Sequence, residues 1–222
     1  MKKLISLCLA MTMLLGSMVG CGKTPTSSSG NPSNSEGGGL GTPQTFKFGL
    51  TVASTHPYSI AAQNFAELVE EKSGGNMTVD LYYDSSLGDD AALMESMQMN
   101  AVTFALVGPA GIAPMCPIYE FFDLPCLFAT RDAAYAFQES EPVLELMDSL
   151  SANGLRGLGF YENGYYAISN NAKEITTVDG LNNLKLRSMT SEMAIKSWEC
   201  LNVQPVAMAF GELFMAMQTG TV

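Results

Sequence analysis

The sequence predicts an α/β fold, a sheet carrying helices on both of its faces. From Gln44 onward, short stretches of apolar alternation exchange with stretches of helical periodicity in the order β-α-β-α-β. Clusters of Gly, Pro, Ser and Asp fall between these stretches rather than inside them. The 222-residue chain is 47% hydrophobic, enough for one large domain or two small lobes with a sizeable core.

The elements follow in order. Phe46, Phe48 and Leu50 alternate with Thr45, Lys47 and Gly49, a first strand, and Thr51 to Thr55 is a loop. His56-Pro57 opens a helix whose expected inner face is Ile60, Ala61, Phe65, Leu68 and Val69, stopped by Ser73-Gly74-Gly75. Met77, Val79, Leu81 and Tyr83 mark a second strand. Asp84 to Asp90 is a turn that also caps a helix running through Met99. Val102 to Val107 is a third strand, broken by Gly108-Pro109. Arg131 to Leu150 reads as a long helix with Ala134, Phe137, Val143, Leu144 and Met147 inward, kinked or divided at Pro142. Strands are expected over Leu155–Tyr161 and Tyr165–Ser169, around the turn Glu162-Asn163-Gly164. Leu184, Leu186 and Ser188 alternate with Lys185, Arg187 and Met189, a strand with one apolar face. A helix over Ser191–Cys200, a strand over Val203–Ala207 and a helix over Gly211–Gln218 complete the chain. In sheets of this kind ligands bind beyond the carboxyl ends of the strands, here Thr51–Thr55, Asp84–Asp90 and Val107–Gly111.

The N-terminus has a different texture. Lys2 and Lys3 precede an apolar run, Leu4 to Leu15, too short for a membrane-spanning helix, so residues 1–21 read as a targeting segment. The ending Gly16-Ser17-Met18-Val19-Gly20-Cys21 resembles a bacterial lipobox, which implies that Cys21 is lipidated and anchors the chain to a membrane; ordinary secretion is the alternative. Residues 22–43 are mostly Gly, Ser, Pro, Thr and Asn and lack apolar periodicity, a flexible tether with an r.m.s. reach of roughly 25 Å. Without Lys2 and Lys3 the chain carries 9 basic and 22 acidic residues, a net charge of −13. Such acidity argues against a nucleic-acid partner. Cys116, Cys126 and Cys200 lack metal-ligand spacing; Cys116 and Cys126 either bridge across a loop or stay as buried thiols.

Enzyme chemistry is poorly supported. There is one histidine, His56, and it stands before Pro57, so no histidine-based metal site can form. No G-x-S-x-G elbow and no phosphate-cradling loop is present outside the tether. No catalytic residue, cofactor or metal is expected. A binding site needs less: an anchor for charge, a few polar groups and apolar walls. Arg187, near a strand end, offers a charged fork of donors that matches the two oxygens of a carboxylate. From spacing alone, the alternative is a surface charge on an edge strand.

Five segments in the right order resemble the DctP-type solute-binding proteins of tripartite ATP-independent periplasmic (TRAP) transporters. They are His56-Pro57-Tyr58 with the helix that follows, Ser85-Ser86-Leu87-Gly88, Phe121 to Phe128, Asn163 to Asn170, and Leu184 to Arg187 with Pro205 to Gly220. The resemblance runs from Phe46 to Val222. It implies a two-lobed, periplasmic-binding-protein-like (Venus-flytrap) fold, with lobe 1 over residues 44–162 and a partial lobe 2 over residues 163–222. The family pattern continues beyond Thr219–Val222, so the second lobe is expected to be incomplete, with Phe214, Met215 and Met217 lacking partners. The implied function is capture of a small organic carboxylate outside the cytoplasm and its delivery to integral membrane subunits of a TRAP transporter. A ligand-presenting ectodomain for a sensor or chemoreceptor is the alternative.

Carried onto this chain, the resemblance makes Arg187 the carboxylate anchor, Thr190 and Thr51 polar contacts, and Phe210 an aromatic that packs on the ligand or in the core. Asp89 or Asp90 is placed to reach ligand hydroxyls or amines, with helix capping as the alternative. The chain also departs from the pattern. Tyr166 stands where relatives often have a second arginine, and Ala207 replaces a proline. Those departures imply a more aromatic, less cationic pocket, suited to a monocarboxylate with an apolar or aromatic body.

Overall fold

Parallel strands need crossovers, and the computed structural model, which describes residues 42–222, builds each crossover from a helix. The predicted leader, most of the tether and Cys21 lie outside the described residues. Strand β1 (Gln44–Leu50) runs at the centre of a three-stranded parallel sheet, with β2 (Met77–Tyr82) on one side and β3 (Phe104–Leu106) on the other. Phe46 pairs with Val79, Phe48 with Leu81 and with Phe104, and Leu50 with Leu106.

Strand alternation sends successive side chains of β1 to opposite faces. Phe48 and Leu50 cluster with Ala62 of helix α1 (Pro57–Lys72), and the Phe65 ring meets Phe48 edge-on at 6.0 Å. Gly49 faces the other way, toward Leu93 of helix α2 (Asp90–Gln98): a Cβ built at Gly49 would stand 2.3 Å from Leu93 Cδ2. Helices therefore cover both faces, as the order of elements predicts. Helix α1 turns differently from expectation. Its buried positions are Ser59 and Ala62, whereas Ile60 and Leu68 are about half exposed. Small residues at Ser59 and Ala62 bring the helix close to the sheet, and the Ser59 hydroxyl is satisfied by donating to Ala53 O at 2.8 Å. The His56 ring caps α1, Nδ1 accepting from the Tyr58 N–H at 3.2 Å, and Pro57 occupies the first turn where no N–H is needed.

After β3, α3 (Pro109–Ile112) and a 3₁₀ segment (Pro117–Asp123) lead to two helices. Pro142 does divide the predicted long helix: α4 covers Arg131–Gln138 and α5 covers Glu141–Ser149. In α5 the inward face is Val143, Leu146, Met147 and then Leu150, so Leu144, expected inside, is exposed.

A second parallel pair joins β4 (Lys185–Ser188) to β5 (Gln204–Ala207), Arg187 opposite Val206. Helix α6 (Glu192–Glu199) connects them, and Trp198 packs on Leu181, Leu184 and Val203. Helix α7 (Leu213–Gln218) follows β5. The described residues, 42–222, hold together as one unit. One tie across it is Glu120 Oε1, which accepts from the Glu192 N–H at 3.3 Å.

The strands expected at Leu155–Tyr161 and Tyr165–Ser169 do not form. That stretch takes no regular structure and pairs with no described strand, and every residue from Tyr161 to Asn170 is exposed. Alternation can nominate a strand, but a ladder also needs a second chain segment alongside it. Phe214, Met215 and Met217 of α7 are likewise more than half exposed. Cys116, Cys126 and Cys200 are free thiols, with Cys126 and Cys200 exposed, so no bridge closes between Cys116 and Cys126. No described helix is long and apolar enough to cross a membrane.

Candidate carboxylate site at the strand ends

The carboxyl ends of both sheets meet around Arg187. Strand β4 alternates Leu184, Leu186 and Ser188 inward, which leaves Arg187 half-buried on the other face. Its guanidinium is held from behind. Nε and Nη2 both donate to Met208 O, at 3.2 and 3.0 Å, from the turn that follows β5. The remaining donors are free to face a ligand. The ion pairs among the described residues are Arg131–Glu162 and Lys196–Glu192, so Arg187 has no carboxylate partner there. Burial draws its pKa below the ordinary value, opposed by Tyr166 and then Asp90. Arginine stays charged through such shifts, so this is a partly desolvated cation without a counter-ion.

Asp90 is the acid that faces it. Its neighbour Asp89 is exposed and caps α2, accepting from the Ala92 N–H at 2.9 Å. Asp90 instead turns inward, where Oδ2 accepts from the Gly108 N–H at 3.1 Å, joining the start of α2 to the end of β3. Oδ1 is buried and has no hydrogen-bond partner. Burial pushes the Asp90 carboxyl above the usual carboxylate range. The Gly108 N–H, the Thr51 hydroxyl and Arg187 pull it back, and Asp89 adds to the rise. Thr51 stands close enough to ease the ionisation without closing a hydrogen bond to Oδ1.

Beside this group lies an open cavity of about 400 Å³. Thr51, Ala53 and Asp84 supply one wall, and Phe210, Phe214 and Met217 the other. Arg187 is not part of its lining; Thr51 is the residue common to the cavity and the Asp90 environment. Phe210 is 54% exposed and lines the cavity, so it is a wall and not a core residue. The Tyr166 ring is largely exposed, while its hydroxyl end donates to Met189 Sδ at 3.2 Å. Its pKa is raised by burial of that end and then by Asp123, and lowered by Arg187.

Of the residues singled out in the sequence, Arg187 and Tyr166 thus stand together, and Thr51 and Phe210 line one cavity. Thr190 is exposed, and no hydrogen bond among the described residues ties it to the others. Sequence reasoning missed two features. The Met208 carbonyl carries no sequence signal at all. Tyr58, whose hydroxyl is pushed up to about 12 by burial and then by Tyr166 and Glu162, looked like part of a helix start. The apolar wall at Leu213, Phe214 and Met217 was legible as a helical face, though without an occupant. Among the described residues no group of three or more potential ligands could hold a metal ion.

The family model described as DctP, bacterial extracellular solute-binding protein, family 7, matches residues 48–222. The C4-dicarboxylate-binding periplasmic protein DctP of Rhodobacter capsulatus is 33% identical over 188 residues, covering 82% of this chain and 55% of that protein. The 2,3-diketo-L-gulonate-binding periplasmic protein YiaO of Escherichia coli is 29% identical over 181 residues, covering 81% of this chain and 55% of the relative. This chain therefore spans about 55% of the length of these curated relatives. Among solved structures, the sugar acid binding protein DctPAm of Advenella mimigardefordensis, in complex with galactonate, superposes with a TM-score of 0.80 at 34% identity. That match covers 82% of this chain and 58% of the other.

Proposed function

Because the chain belongs to the DctP family, the family-7 bacterial extracellular solute-binding proteins, we propose that it captures a small organic acid outside the cytoplasm and presents it to a TRAP-type transporter. The observation that supports this most directly is Arg187: half-buried, unpaired with any described carboxylate, and oriented from behind by Met208 O. A guanidinium fixed in this way meets a carboxylate without first paying to order itself. In this reading residues 44–162 form lobe 1 and residues 163–222 part of lobe 2. Thr51, Tyr166 and Phe210 line the ligand's path, with Thr190 and Asp89 at its margin. Closure around the acid makes the shape that integral membrane subunits recognise, a hinge equilibrium biased by differential affinity. The chain itself performs no catalysis and needs no cofactor, and Cys21 holds it to the membrane through a lipid.

The test is native purification of the protein without its leader, followed by mass spectrometry of small molecules that come with it. A carboxylic acid that accompanies the wild type and is absent from Arg187→Ala is the expected result. A folded protein that binds nothing from a broad panel of carboxylic acids overturns the reading.

A further inference from the structure

We propose that Arg131 is a positioning residue for the Arg187 site: it clasps the turn at residues 162–165 onto helix α4, and so holds the adjoining Tyr166 with its hydroxyl on the Arg187 side of β4. This rests on the carboxylate-binding reading above and adds to it a residue outside the site that sets how well the site is formed.

Tyr166 stands in a stretch that has no means of its own to keep its place. Residues 161–169 make no backbone hydrogen bond to the rest of the described chain, and all of them are exposed. Backbone entropy favours many arrangements of such a segment unless side chains fix one of them. The fixing side chains are gathered just before Tyr166. The Tyr161 ring meets Tyr58 of α1 edge-on, with centroids 5.9 Å apart. Both oxygens of Glu162 are engaged from α4: Oε1 lies 2.8 Å from Arg131 Nε, and Oε2 accepts from the Tyr135 hydroxyl. Past the turn, the same guanidinium lies over the Tyr165 ring, 5.8 Å from its centroid. Between the two gripped residues Gly164 has a φ of 77°, a conformation open to glycine at no steric cost. Arg131 therefore holds both ends of one turn.

The next residue is Tyr166. Its hydroxyl donates to Met189 Sδ at 3.2 Å. Met189 is two residues beyond Arg187, so it lies on the same side of β4 and its continuation. A thioether is a weak acceptor. The hydroxyl is therefore available to a stronger one, an oxygen of a carboxylate held at Arg187.

Magnitudes separate this role from a stabilising one. The Arg131 and Glu162 side chains are 54% and 36% exposed, and pairs as open as this contribute little to global stability. Their effect is local, on the one segment that lacks other support. The Lys196–Glu192 pair, by contrast, joins successive turns of a single helix that its own backbone bonds already hold.

Two measurements on the full chain test the proposal. The first needs no ligand: fluorine-19 NMR of protein carrying 3-fluorotyrosine, with the Tyr166 signal assigned by its absence from Tyr166→Phe. In Arg131→Met the Tyr166 signal should move toward that of the free amino acid, while the signal of buried Tyr119 stays in place. A Tyr166 signal that does not move overturns the proposal. The second is calorimetric titration with galactonate, succinate and L-malate as probes. Arg131→Met should weaken whichever binds best roughly 3-fold to 10-fold, the effect of having to order one or two side chains on binding. Its Tm should fall by no more than about 2 °C. In a Tyr166→Ala background the same substitution should change Kd by less than about 1.5-fold, because no ring is left to position. Equal weakening in both backgrounds, or an unchanged Kd in the single variant, overturns the proposal. So does an Arg131→Met chain that does not fold, which would make the clasp a structural one. If the Tyr166 signal moves as expected but the folded wild type binds none of a broad panel of carboxylic acids, the carboxylate reading itself fails, and with it the claim that this clasp serves a ligand site.

Discussion

Replacing Arg187 with methionine separates binding from stability. The variant keeps a long, unbranched stem and removes the guanidinium. A ligand carboxylate would lose its charge-assisted fork in a partly desolvated site, a loss of about 2–5 kcal/mol. That corresponds to roughly 30-fold to several-thousand-fold in Kd. Fold stability changes far less. Two N–H donors to one acceptor, Met208 O, disappear, at a cost of about 1–2 kcal/mol. Against this, the fold no longer has to desolvate a cation that has no ion-pair partner among the described residues. The two effects oppose each other, so Tm should move by no more than about 4 °C in either direction. Thermal unfolding with and without a bound acid reads both quantities at once. At a ligand concentration of 100 times the wild-type Kd, the wild type gains about 2.7 kcal/mol, a rise of roughly 5–10 °C, and the variant should gain less than about 1 kcal/mol, a rise of no more than about 3 °C. Two results would refute the reasoning. A retained ligand shift means that Arg187 is not the anchor. A ligand-free Tm lowered by more than about 10 °C means that Arg187 is chiefly a structural cation.

Other consequences follow from the packing and the buried acids. Gly111→Ala forces a Cβ to within 2.4 Å of Asp90 Cβ and 3.1 Å of its backbone carbon. It should destabilise by about 1–3 kcal/mol, seen as a lower urea midpoint with an unchanged m-value. Leu93→Ala removes a side chain that is 0% exposed and packs on Gly49, at about 2–5 kcal/mol in the same assay. Asp123 is buried with Oδ2 unpartnered, and burial is the main cause that raises its pKa, ahead of a lowering by Ser191 and a rise from Glu120. Between its unfolded and its raised folded pKa the native state binds more protons, so this residue's contribution to stability falls as pH rises through that window. Asp123→Asn should therefore raise Tm at neutral pH, and the gain should vanish as pH falls below the ordinary carboxylate range. A gain that persists unchanged at acid pH would contradict the assignment.

The sequence by itself determined the local elements, because their signals lie within a few residues of where they act. His56-Pro57 starts a helix, Ser73-Gly74 stops one, Pro142 separates two, and the alternation at Leu184–Ser188 sets Arg187 on the face opposite the core. Motif order was enough to indicate the family and to single out Arg187. Tertiary structure decided what depends on a distant neighbour. Helix α1 buries Ser59 and Ala62 in place of Ile60 and Leu68 because close approach to a sheet favours small side chains over large ones. Residues 155–169 stay unpaired because no described strand lies beside them, whatever their alternation. Asp89 and Asp90 are chemically identical in the sequence; one caps a helix and the other faces Arg187 only because the end of β3 brings the Gly108 N–H to the second. The grip on Arg187 comes from a backbone carbonyl, an atom every residue possesses, and only the pairing of β4 with β5 puts that of Met208 within 3.0 Å. Periodicity records which way a side chain faces along its own element, while the partner it meets is set by segments far away in the chain.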